Sequence, residues 1–335
     1  MKVGLQWGYW GPLPPADLVA VTVEAERLGF DSVWTAEAWG SDAFSPLALL
    51  AGHTSRMTLG TSVVQLAART ATATAMAALT IDHLSGGRMV LGLGVSGPQV
   101  VEGWYGRPSD RPLARTREYV EIIRTVLRRE ERLDFQGQFY QHPYHGEGSS
   151  GLGKPLRSIT HPLRADLPIY LGAEGPKNVT QTAAIADGWL PLYYSPFRPE
   201  VYAGQLRDAP AGFEVAAMCL VNVCDDVAAG LWPVKAMLGF YIGGMGAEGQ
   251  NYHTKLMARM GFEEEANRIQ ELFFAGRRDE AIDAVPDQFA DEISLTGPPS
   301  RIRERLEVWE ASAVTELLVP AGSLAALEAV AGALL

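Results

Sequence analysis

Cysteine is nearly absent from these 335 residues. The two present, Cys219 and Cys224, lie in the strand-like run EVAAMCLVNVCDD and are too few for a disulfide framework. Five positions apart on a strand, they would point to opposite faces, so packing is expected of them rather than metal or redox chemistry. Long apolar runs are missing too, and nothing approaches the roughly 20 residues that span a bilayer. The opening MKVGLQWGYWGPLPP carries one Lys and is cut by Gly and Pro, so it lacks the continuous apolar core of a secretory signal. No membrane partner and a cytoplasmic location are expected. Positive charge is in deficit, with 28 Lys and Arg against 39 Asp and Glu and a net charge of −11. Binding to nucleic acid needs a basic footprint, and this balance argues against it. Histidine is scarce, six in all. His142-x-x-His145 has no third ligand spaced nearby, so no metal site is expected.

What is present is alternation. Strand-like runs fall at 2–7, 32–37, 58–65, 89–95, 167–173, 188–194, 213–223 and 316–322. Between them lie stretches at helical spacing. Leu18, Val21, Ala25 and Leu28 follow Pro14-Pro15, and Met76, Leu79 and Leu84 precede the stop signal Gly86-Gly87. Tyr119, Ile122, Ile123, Val126 and Leu127 share one face. Apolar strands separated by helices imply a parallel sheet covered by helices. Eight such units predict an α/β fold, a (β/α)8 TIM barrel in a single domain over 1–335. Two stretches break the rhythm. Residues 133–166 begin with a short hairpin around Gly137 and continue without period, rich in Gly, Pro and Ser, as a lid would. A helical insertion spans about 226–295 before the last strand, and Ile302, Leu306 and Trp309 mark a final helix.

The run MVLGLGVSGPQVVEGWYG, 89–106, spells Gly92-x-Gly94-x-x-Gly97, the form of a dinucleotide-binding turn. It follows the fourth strand, not the first. The acidic residue wanted about 20 positions on has only Asp110 as a candidate, outside any strand. The better reading is a barrel strand with small residues where a ligand approaches. Chemistry on such barrels sits at the C-terminal strand ends. That nominates Gln6, Trp7, Glu37, Trp39, Ser62 to Gln65, Val95, Ser96, Gly97, Gln99, Glu174, Gly175, Tyr193, Tyr194 and Asn222. Gly175-Pro176 opens a helix, either as an ordinary helix start or as an anion site helped by Lys177.

These segments resemble the luciferase-like monooxygenase superfamily, and within it the actinobacterial branch that uses the deazaflavin coenzyme F420. GFDSVWTAEAWGSDAFSPLALLA (29–51), LGTSVVQ (59–65), LSGGRMVLGLGVSGPQVVEGWYG (84–106) and PIYLGAEGPKNV…IADGWLP (168–191) carry the resemblance, and the insertion FQGQFYQHPY…GLGKPLRSITHP shares it. It implies a TIM barrel with insertions and a redox enzyme that holds the deazaflavin at the barrel mouth. It also implies a cis peptide at Ser62–Val63, pressed against the cofactor. Ser62, Val63, Gln65, Gly94 to Gly97, Gln99, Ala173 to Gly175 and Lys177 match the cofactor-holding segments. Glu37 matches the acidic member of an Asp-His pair found in sugar-phosphate dehydrogenases, but residue 38 is Ala. Glu37 is thus either a catalytic carboxylate or a structural one bonded to backbone N–H groups. The implied reaction is hydride transfer to or from a small organic substrate, by reduction of an activated C=C or C=N bond or by alcohol oxidation. Trp7, Trp39, Tyr193 and Tyr194 are the expected substrate contacts. Lys154, Arg157, Arg164 and Lys177 would attract the coenzyme's acidic tail or be solvated loop charges. An FMN-dependent monooxygenase and a non-catalytic cofactor-binding barrel are the alternatives, and a homodimer is expected.

Overall fold

Eight parallel strands close on themselves. They are β1 (Lys2–Gly8), β2 (Ser32–Thr35), β3 (Thr58–Thr61, resumed at Val64–Gln65), β4 (Met89–Gly94), β5 (Ile169–Gly172), β6 (Gly188–Leu190), β7 (Glu214–Met218) and β8 (Glu316–Pro320). In this computed structural model, which describes residues 1–246 and 251–335, the spatial order is β3-β2-β1-β8-β7-β6-β5-β4. β4 closes the ring by pairing with both parts of β3, Leu59 opposite Met89 and Gln65 opposite Gly94. The expected TIM barrel is present. Each parallel return needs a crossover, and helices such as Leu18–Leu28, Ala71–Ser85 and Pro112–Arg128 supply it.

Size matching fills the barrel. Trp34, Val90, Tyr170, Leu190, Ala216 and Leu318 form an inner cluster with Val63 packed against it. The Trp34 and Tyr170 rings stack at 5.9 Å. Opposite such bulk the wall must be thin. A Cβ at Gly60 would lie 2.2 Å from the Trp34 ring, and one at Gly92 only 1.8 Å from the Thr61 carbonyl oxygen. Gly92, in the dinucleotide-like spelling, is therefore a packing requirement of barrel closure. At the base, Glu316 is buried and meets Ser32 Oγ, while Trp34 Nε1 donates to Ser32 Oγ at 2.6 Å.

Several expectations change in detail. The strand expected over 213–223 breaks at the buried Cys219, and Leu220–Val223 leaves the barrel to pair with Ser294–Gly297. The tract expected as helical over 226–295 is five helices and that short strand, with 247–250 outside the described residues. Pro299–Glu310 is not the last helix, since Leu324–Leu334 follows β8. Pro14 and Pro15 precede the first helix without opening it. The hairpin around Gly137 is present, Phe135–Gln136 against Gln141–His142. Its turn is fastened to helix Pro112–Arg128 by Glu118, which accepts from the amides of Gln138, Phe139 and Tyr140 at 2.8, 2.9 and 3.1 Å. No helix among the described residues is long and apolar enough to cross a membrane.

Candidate active site at the barrel mouth

The break in β3 falls at Ser62–Val63, and that peptide bond is cis. The end of β2 straps it. Ser62 N–H donates to the Thr35 carbonyl at 2.6 Å, and Glu37 N–H to the Val63 carbonyl at 3.2 Å. Gln65 N–H donates to Glu37 Oε1 at 2.9 Å, and Gln65 Nε2 to the Glu37 carbonyl at 3.0 Å. Arg69 Nη1 reaches both Glu37 oxygens at 2.8 and 2.7 Å, and the Ala43 amide adds a longer contact at 3.4 Å. The Glu37 side chain is only 3% exposed. Its carboxylate is thus saturated by a guanidinium and two backbone amides. Arg69, the partner that sequence reasoning missed, also lies over the Phe44 ring.

Val63 is the centre of the mouth. A Cβ at Gly94 would lie 2.4 Å from Val63 Cγ2, and one at Gly172 3.3 Å from Cγ1. The chain around it leaves polar groups open. Ser96 sits at φ +60°, a left-handed position rare for a residue with a Cβ. The amides of Ser96, Gly97 and Gln99 donate to no group among the described residues, and neither do those of Gly175 and Lys177 at the start of helix Pro176–Ile185. A Cβ at Gly175 would meet nothing within 4 Å. Gln65 Oε1 is buried without a donor. The candidates on β3, β4 and β5 are therefore brought together by three adjacent strands. Ala173 is buried there, its carbonyl accepting from Trp189 Nε1 at 2.7 Å.

The expected substrate aromatics divide. Trp7 is turned outward, its Nε1 donating to Thr22 Oγ1 on helix Leu18–Leu28 at 2.9 Å. Tyr194 also faces the outer layer, stacked on Tyr202 at 5.2 Å and near Trp309. Both expectations are corrected, because neighbouring positions along an extended chain alternate faces and these fall on the helix side. Trp39 is exposed. Tyr193 is buried under the helical insertion, and its hydroxyl has no partner. Burial holds this phenol well above its ordinary pKa. Its ring meets those of Tyr241 and His253 edge-on at 6.1 and 5.5 Å. His253 Nδ1 is 2.9 Å from Glu174 Oε1 without the alignment of a hydrogen bond, and Glu174 Oε2 is buried and unpaired. Tyr9 and Tyr241 hydroxyls stand 3.2 Å apart. His253 and Tyr241 went unnoticed in the sequence, where the insertion carried no signal beyond helical spacing.

Arg164 is another correction. It forks onto the buried Asp82 at 2.8 Å and reaches the Met89 carbonyl, where β4 begins, at the opposite end of the barrel from the mouth. Lys154, Arg157 and Lys177 are exposed. Above the ends of β3 and β4 a cavity of about 550 Å³ opens between Leu66–Thr70, Val95, Ser96, Pro98 and Val101, then Arg107–Ser109 with Pro112 and Arg115, and Phe139–His142 of the hairpin with Tyr144 and Tyr252.

Comparison with known proteins bears on the family and the fold. The profile of the luciferase-like monooxygenase family matches residues 5–316. Over 332 residues the chain is 52% identical to a Mycobacterium tuberculosis protein provisionally named a coenzyme F420-dependent oxidoreductase, with 96% of each chain covered. It is 30% identical over 310 residues to a 5,10-methylenetetrahydromethanopterin reductase of Archaeoglobus fulgidus, covering 88% of this chain and 86% of that one. Among solved structures, the coenzyme F420-dependent tetrahydromethanopterin reductase of Methanopyrus kandleri superposes with a TM-score of 0.80 at 22% identity, covering 98% and 97% of the two chains.

Proposed function

The chain belongs to the luciferase-like monooxygenase family, and from that premise we propose an oxidoreductase that holds coenzyme F420 at the barrel mouth and passes hydride to or from a small organic substrate. The observation that carries this reading is the Val63 recess, thinned by Gly94 and Gly172 and rimmed by unpaired amides on the β4 and β5 loops. A flat ring with an anionic side arm fits such a place, since free N–H groups in turns and at helix starts favour negative charge. Ser62, Val63, Gln65 and Gly94 would hold the ring. Val95, Ser96, Gly97, Gln99, Ala173, Glu174, Gly175 and Lys177 would hold the rest. When bound, the deazaflavin supplies hydride chemistry with little reactivity toward oxygen.

The chain's own part is to position, exclude water and manage the proton. Val63 is the floor, and Gln65 Oε1 offers a buried acceptor with no other partner. Glu37 is a positioning residue in this account, because its oxygens are taken by Arg69, Gln65 and Ala43. Proton transfer falls instead to the Tyr193, Glu174 and His253 group, whose polar atoms are buried and unpaired. With Nδ1 beside Glu174, His253 keeps Nε2 for proton exchange. This group stands in for the His that residue 38, an Ala, does not provide. Reduction of an activated C=C or C=N bond needs one hydride and one proton delivered to the substrate, and alcohol oxidation needs one of each removed from it, so both directions call for such a group. Tyr193 and Trp39 remain the aromatic substrate contacts, and the 133–166 segment acts as the cover. We read the chain as one barrel domain with two insertions, cytoplasmic and homodimeric.

Turnover tests this directly. Oxidised coenzyme F420 is offered with a panel of secondary alcohols, and the reduced coenzyme with activated alkenes and imines, each followed by coenzyme absorbance. Coenzyme-dependent conversion is expected in at least one panel. Oxygen consumption with reduced FMN, and none with F420, would move the protein to the monooxygenase reading.

A further inference from the structure

Glu174 and Tyr193 are placed by the barrel, since they follow β5 and β6 directly. His253 has no strand beneath it. It lies in the first turn of helix Tyr252–Arg259, which comes after helix Val227–Gly244 in the insertion. The fully buried side chain of Asn251 fixes these two helices against each other. A helix ends in carbonyls and begins in amides that have no partner within it, and Asn251 meets both sets at once. Its Nδ2 donates to the carbonyls of Tyr241 and Ile242, at 2.8 Å each, in the last turn of the first helix. Its Oδ1 accepts from the amides of His253 and Thr254, at 2.8 and 3.3 Å, at the start of the second. An Asn side chain offers two N–H donors and one oxygen with two lone pairs, so its whole capacity is used. Thr254 adds a further link, its hydroxyl donating to the Ile242 carbonyl at 2.8 Å. Tyr241 and His253, one on each side of Asn251, are the two rings that meet Tyr193 edge-on, and they meet each other at 5.3 Å.

We propose that Asn251 is a positioning residue of the site. By locking the start of helix Tyr252–Arg259 onto the end of helix Val227–Gly244, it holds the His253 ring with Nδ1 toward Glu174 and leaves Nε2 for proton exchange. The proposal rests on the proton-handling role given to His253 above. His253 Nδ1 stands 2.9 Å from Glu174 Oε1, and a displacement of about 1 Å would carry the pair out of hydrogen-bond range. Misplacement of that size in a reacting group can cost about a hundred-fold in rate. The far end of the same helix is tied to the same residue, because Arg259 Nη2 donates to the Glu174 carbonyl at 2.7 Å. An ordinary N-cap steadies only its own helix. Asn251 sends half of its bonds to a second helix, so it sets position as well as helix stability, and the two roles can be separated.

The test uses full-length protein labelled with 15N-histidine, without coenzyme, and reads the ring nitrogens by NMR in alkaline buffer. His253→Gln assigns the His253 signals by their loss. Wild type, Asn251→Ala, Asn251→Ser and Ser323→Ala are compared, the last removing the N-cap of the separate helix Leu324–Leu334. The wild type is expected to show one His253 tautomer, with the proton on Nδ1. Both Asn251 variants should show a mixture, and Ser323→Ala should match the wild type. Asn251→Ser keeps an N-cap acceptor but has a single O–H and cannot serve both carbonyls of the other helix. It should therefore recover the melting temperature lost in Asn251→Ala without recovering the tautomer, and it carries the test if Asn251→Ala does not fold. With coenzyme and a converted substrate, Asn251→Ser should lower kcat at least about ten-fold and change KM less than about two-fold. Wild-type ring signals or wild-type kcat in Asn251→Ser would overturn the proposal and reduce Asn251 to a helix cap. A wild type that shows the single tautomer but turns over no substrate would overturn the oxidoreductase reading instead.

Discussion

At Glu37 the decisive fact is occupancy. Both carboxylate oxygens are taken, chiefly by Arg69 and the Gln65 amide, so replacing the charge removes a buried pair and loosens the β3 bulge with it. Glu37→Gln is expected to cost about 2 kcal/mol, the size of a charge-assisted hydrogen bond left half-made, read as a lower urea midpoint. Coenzyme affinity should fall with it. Unchanged stability with lost turnover would instead return Glu37 to an acid–base role. Glu316 offers a pH test at the barrel base. Burial raises its pKa above the ordinary 4.5, against the lowering contacts of Ser32 and Trp34. The folded state therefore holds the proton more tightly than the unfolded state. The stability this gives is complete below 4.5 and is lost as pH rises through the raised value. Glu316→Gln, neutral throughout, should gain melting temperature relative to the wild type across that window, and a pH-independent difference would contradict the assignment. Glu37 was visible in the sequence because it ends a strand. Its partner Arg69 is 32 positions away, and nothing local marks the pairing. His253 was hidden for the same reason, since Glu174 and Tyr193 reach it only through the fold.

Among the elements, strands were easier to read than helices, for a physical reason. Barrel strands buried on both faces are continuous apolar runs, and all eight fell near their expected places. Large residues are the helical signal, and in Ala71–Ser85 they point to the core only in part. Leu79 is buried, but Met76 and Leu84 are exposed, while Ala71, Ala75, Ala78 and Ile81 face the barrel. Small residues let the helix approach the sheet closely, and they carry little periodic signal. The Ala-rich helix Leu324–Leu334 escaped notice in the same way. Ser294–Gly297 is four residues long and exists as a strand only through its distant partner. Closure of the barrel yields its own prediction. Gly92→Ala would set a methyl group 1.8 Å from the Thr61 carbonyl, beyond what side-chain adjustment can relieve. A loss of more than about 3 kcal/mol is expected, measured by denaturant unfolding, and near-native stability would mean that β3 and β4 can separate without cost.

The whole molecule was legible as a barrel because eight alternations leave few other topologies. Its mouth was legible in part, through strand ends. The cluster of Tyr193, Glu174 and His253 and the Arg-lined cavity were not, because they are assembled by insertions folding back over those ends. Assembly is tested by sedimentation. A homodimer is expected at micromolar concentration, with Trp232 and Phe240 among the large apolar residues left exposed on one chain. A concentration-independent monomer would refute it. The central claim is the identity of the group at the mouth, and one measurement bears on it most directly. Purified protein is titrated with coenzyme F420 and with FMN, each oxidised and reduced, and followed by tryptophan fluorescence. Saturable, tight binding of the deazaflavin and much weaker binding of FMN are expected. Preference for FMN would contradict that claim.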